Sequence, residues 1–120
     1  MNIQIYAAKA NPDVLKAERF FKERKIPVQY VDMKKQKPGL RELTLFMKAA
    51  GSARALVERR GIKALERPVA HMSDDTLILS ELQNDPMALV SPIVRNGQKV
   101  TVGVDEAEWT AWIREDKIIS

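Results

Sequence analysis

The strongest constraint on the fold lies near the C-terminal end, in "PIVRNGQKV" (Pro92–Val100). Asn96-Gly97 is the strongest short signal for a two-residue hairpin loop, because Asn and Gly tolerate the positive φ such a loop needs. Pro92–Val94 forms one arm and Lys99–Val102 the other.

At the opposite end, Ile3, Ile5 and Tyr6 predict a strand. Asn11-Pro12-Asp13 then reads as a helix start. Asn11 is a good N-cap, Pro12 a good first helical residue, and Asp13 suits the positive end of the helix dipole. Val14, Ala17 and Phe21, widened by Leu15 and Phe20, predict the buried stripe. Pro27 ends this helix and Val28–Val31 reads as a second strand.

The middle is helical in pattern. Lys34–Gly39 is a loop; Leu40, Leu43, Phe46, Met47 and Ala50 then keep helical spacing up to Gly51. Ser52 is the expected cap of a helix that carries Arg54, Leu56 and Val57 and stops near Gly61. Ser73-Asp74-Asp75 opens another helix with Leu77, Ile78, Leu79 and Leu82, broken at Asn84-Asp85-Pro86. Asp105 and Glu108 form an acidic variant of the capping box for a last helix, with Trp109, Trp112 and Ile113 inward.

The order is strand, helix, strand, several helices, hairpin, helix. A βαβ unit with a right-handed crossover, closed by a ββα unit, gives one mixed sheet with helices packed on it. That is the α/β, thioredoxin-like plan. The expectation is a single domain over residues 1–120 with a helical insertion at about 39–90.

Composition removes several chemistries. The chain has no cysteine, which excludes disulfides, catalysis by its own thiols and thiolate metal sites. One histidine, His71, cannot make a histidine-rich metal centre and has no evident acidic or nucleophilic partner in sequence. No cofactor is expected. No apolar run approaches the roughly 20 residues that cross a bilayer, and the N-terminus lacks a secretory pattern. The expected location is the cytoplasm. A formal charge of +4 permits an acidic partner without requiring one. Arg59, Arg60, Lys63 and Arg67 form a basic cluster, but no aromatics interleave with it, so nucleic acid is not the expected partner.

Three stretches resemble the ArsC/Spx family of glutaredoxin-linked arsenate reductases and Spx regulators. "IQIYAAKANPDVLKAERFF" is similar to the family's opening strand, active-site loop and first helix. "SARALVERRG" looks like the reductase segment with a catalytic arginine, and "DPMALVSPIVRNGQKVTVG" like the family's hairpin. The resemblance puts the nucleophilic cysteine at Asn11 and the second cysteine of Spx-type members at Val14. It puts one anion-binding arginine at Arg54, another at Ser91 and a third near Val102, and the family's cis proline at Pro92.

A carboxamide has no accessible anionic form and no redox couple, so Asn11 cannot attack arsenic as a thiolate does. The expected role of Asn11 is structural capping. The resemblance therefore implies a non-catalytic module that binds a protein, as Spx proteins bind the RNA polymerase α subunit. The alternatives are a thiol-independent oxyanion or glutathione binder at a vestigial site (Lys9, Asn11, Arg54, Ser91, Pro92), or a reductase that borrows a partner's thiol.

Overall fold

Four short strands and five helices account for the regular structure of the computed structural model, which describes residues 1–119. Strand β1 (Ile3–Ala7) is followed by α1 (Pro12–Glu23) and β2 (Val28–Asp32). Then come α2 (Leu40–Ala50), α3 (Ile62–Glu66) and α4 (Asp75–Asn84), with 3-10 turns at Arg54–Leu56, Pro68–His71 and Pro86–Ala88. The chain closes with β3 (Ile93–Asn96), β4 (Lys99–Val102) and α5 (Glu106–Ile119). The sheet order is β2-β1-β3-β4, with β1 parallel to β2 and antiparallel to β3. This is the mixed sheet that the order of elements predicts.

Alternation along the strands divides the core. Ile3, Ile5 and Val94 face one way and pack with Phe20 and Phe21 of α1 and Trp109 and Trp112 of α5. Tyr6, Val31 and Ile93 face the other way, under Leu43 and Phe46 of α2 and Ile78 and Leu82 of α4. Both tryptophans are buried and hydrogen-bonded. Trp109 Nε1 donates to Thr101 Oγ1 at 2.7 Å, and Trp112 Nε1 to Glu108 Oε1 at 3.1 Å. Glu108 thus serves Trp112, while Asp105 caps α5 by accepting the Glu108 N–H at 3.1 Å.

Several local expectations change. The hairpin loop is Gly97-Gln98, because Asn96 pairs with both Lys99 and Ile3 and so belongs to the strand. Gly97 at φ 63° supplies the left-handed turn residue. No helix spans Ser52 to Gly61: after the Arg54–Leu56 turn, Val57 forms an antiparallel bridge with Leu89. The Glu58 N–H to Ala88 carbonyl bond (2.8 Å) and the Val90 N–H to Leu56 carbonyl bond (2.8 Å) hold that stretch extended. Leu15, Leu40 and Leu77 are 53%, 55% and 58% exposed, so they lie outside the core stripes. Helix α3 has no counterpart in the apolar pattern, because its Ile62 and Leu65 are exposed and only Ala64 is buried.

Candidate functional site

The register of the central strands builds the corner that contains Asn11. Tyr6 pairs with Ile93, which sets the chain after β1 against the chain before β3. There the Ala8 N–H donates to Ser91 Oγ at 3.3 Å, and the Ser91-Pro92 peptide is cis. Asn11 is the N-cap of α1: its Oδ1 accepts the Val14 N–H at 2.8 Å. Its Nδ2 donates to the Ser91 carbonyl at 3.0 Å, across 80 positions of sequence. Both ends of the carboxamide are therefore occupied.

That geometry sharpens the mutational expectation. Asn11→Ala removes a cap and a partly buried long-range hydrogen bond, so it should lower stability by about 1–2 kcal/mol in urea unfolding. Asn11→Asp should fall between wild type and Ala. It keeps the cap oxygen but turns a donor toward Ser91 into an acceptor facing a carbonyl. A neutral Asn11→Ala would contradict the structural role.

The helix start has little left to offer an anion. Pro12 has no N–H. The Val14 amide is taken by the Asn11 side chain, and the Leu15 amide by the Asn11 carbonyl at 3.2 Å. Of the first-turn amides only that of Asp13 remains, beside its own carboxylate. Asp13 is in turn held by Arg60, whose Nη1 lies 3.2 Å from Asp13 Oδ2.

Glu58 and Arg60 are the residues that sequence reasoning missed as a pair. Glu58 is buried at 6% exposure. Its carboxylate takes Arg60 Nε at 3.1 Å, Arg60 Nη2 at 3.2 Å and the Arg60 backbone N–H at 2.8 Å. Burial pushes the Glu58 pKa up. The Arg60 guanidinium and the Arg60 and Arg59 amides outweigh that and hold it below the ordinary glutamate range. An i, i+2 acid–base pair is the signal, but it is meaningful only on an extended segment, and this stretch reads as helix.

The remaining expected site residues disperse. Arg54 is exposed, and its Nη1 donates to the Met72 carbonyl at 3.1 Å rather than to the Asn11 corner. Lys9 is exposed and lines a depression of about 230 Å³ between the corner and β2. The basic cluster is also divided. Arg67 pairs with Asp85 at 3.1 Å. Arg59 folds back, donating from Nη1 to the carbonyls of Arg54 (2.7 Å) and Val57 (3.3 Å). His71 Nε2 lies 2.7 Å from the Leu65 carbonyl. Among the described residues no cluster of three or more His, Cys, Asp or Glu could hold a metal ion, and no helix is long and apolar enough to cross a membrane.

A mixed four-stranded sheet, helices on both faces and a cis proline opposite a capped helix start make this a thioredoxin-like α/β fold. Solved structures share this fold. A YffB protein aligns with a TM-score of 0.79 at 18% identity, over 92% of this chain and 97% of its own. An ArsC family related protein from Bacteroides fragilis aligns at 0.74 and 18%, over 92% and 98%. An arsenate reductase from Vibrio cholerae aligns at 0.68 and 20%, over 85% and 89%. At these identities the likeness establishes the fold. No protein-family model and no curated protein matches the chain.

Proposed function

We propose that this chain is a non-catalytic protein of arsenate-reductase-like fold that works by binding another protein. The observation that carries the reading is the closed state of the corner. Asn11 is bonded at both ends, and the first turn of α1 keeps one uncommitted amide, next to Asp13. No thiol is present in the chain to attack an oxyanion or to form a mixed disulfide. The orientation of Arg54 toward Met72 also argues against a ring of charge around an anion. With the corner serving as architecture, the outer surfaces of the fold are left for function.

The test has two arms. The purified chain, supplied with arsenate, glutathione and glutaredoxin, should show no arsenate-dependent turnover; turnover would overturn the proposal. A thermal-shift titration with arsenate, phosphate, sulfate and glutathione should leave the melting temperature unchanged up to millimolar concentrations. A saturable rise that disappears in Arg54→Ala would transfer support to the oxyanion-binding alternative.

A further inference from the structure

We infer that an extended, acidic segment of a partner polypeptide binds along the outer edge of β2, in the groove between that strand and α1. The inference rests on the protein-binding reading above and gives it a surface and a partner chemistry.

Strand β2 is an edge of the sheet. The Met33 N–H donates to the Ala7 carbonyl at 3.0 Å, which fixes the alternation: Val31 and Met33 turn their backbone groups inward to β1. Val28 and Tyr30 therefore turn theirs outward. An outward row of N–H and C=O groups is a template for one more strand. Tyr30 is 54% exposed, and its hydroxyl lies beside Glu18 of α1.

The groove beside that edge has two parts that meet at the Glu18–Tyr30 pair. Two depressions, of about 230 and 540 Å³, share Glu18 and Tyr30 as common walls. Together they run from the corner at Lys9 to Pro27, with an apolar floor that includes Val14, Ile26 and Val28. A strand seated here would place alternate side chains against α1. Partial burial, then the Glu18 carboxylate beside it, push the Tyr30 hydroxyl up to about 12.

Charge selects the occupant. The groove is lined by Lys9, Lys22, Lys25 and Lys34 against Glu18 and Asp32. Excess positive charge opposes a second copy of this chain, which would bring two such grooves together, and favours aspartate- and glutamate-rich segments. The alternating backbone groups match a polypeptide strand.

A selection of mRNA-displayed random decapeptides on the immobilised full chain tests this. Enriched peptides should alternate apolar with acidic residues. Binding by fluorescence anisotropy should weaken at least tenfold in the Lys22→Glu/Lys25→Glu double variant. N-methylation of alternate peptide amides should weaken it at least tenfold too. Hydrogen exchange should slow at Val28 and Tyr30. Failure to enrich acidic peptides, indifference to the charge reversal, or protection elsewhere on the chain would overturn the inference. So would a dimer that protects the same two amides. These failures remove only the β2 groove; arsenate turnover removes the protein-binding reading itself, so the two are distinguishable.

Discussion

Trp109→Ala should lower the free energy of unfolding by about 3–5 kcal/mol, the range for deleting a large aromatic from a packed core. Trp109 is fully buried and lies 5.2 Å, centroid to centroid, from both Phe20 and Phe21. It therefore joins α5 to α1 across the faces of β1 and β3. Its indole also satisfies the buried Thr101 hydroxyl. Trp109→Phe separates the two contributions: it keeps an aromatic body and loses the hydrogen bond, for roughly 1–3 kcal/mol. Urea unfolding followed by circular dichroism measures both. A cost below 1 kcal/mol for Trp109→Ala would mean that α5 is not anchored as described.

Arg60→Ala should be the second large effect, and it should depend on pH. The substitution leaves the Glu58 carboxylate buried without its guanidinium. Breaking a fully buried pair costs about 3–5 kcal/mol. The Arg60 side chain is 65% exposed, so water screens the pair and can approach the vacated position. The expected loss at neutral pH is therefore about 1–3 kcal/mol. The Glu58 pKa is depressed in the folded protein, so its contribution is fully present above the ordinary glutamate range. It is lost as pH falls through the lower, folded value. The gap between wild type and Arg60→Ala should shrink in acid, because protonated Glu58 no longer needs a cation. A gap that is constant from neutral pH to pH 3 would remove the electrostatic account. Glu58→Gln in both backgrounds completes a double-mutant cycle.

Local signals were legible where the chemistry is local. Asn11-Pro12 announces a helix start on its own, and the helix begins there with the cap bond in place. The arms around Asn96-Gly97 likewise announce a hairpin. The exact loop was not legible, because Asn96 is drawn into the sheet by Ile3, a residue from the far end of the chain. The Glu58–Arg60 pair was hidden for the same kind of reason. Its extended backbone depends on Leu89 and Ala88, which no window around Glu58 contains. The division of the basic cluster follows, since Arg60 reaches Asp13 only once that segment lies against α1. Leu15 and Leu40 show the limit of periodicity: the spacing marks a stripe but not how wide a stripe the neighbouring layer covers. At the corner, the identity of the cap could be read from sequence. Its second bond, to Ser91, could not.

The position of β1 between β2 and β3 also bears on the chain's synthesis. Residues 3–7 leave the ribosome about 90 residues ahead of the strand that completes their pairing. At roughly 5–20 residues per second that delay is on the order of 5–20 s. During it, the central strand is supported on one side only, by its parallel neighbour β2. The growing chain therefore carries an open strand edge until β3 emerges, and is exposed to edge-to-edge aggregation over that interval.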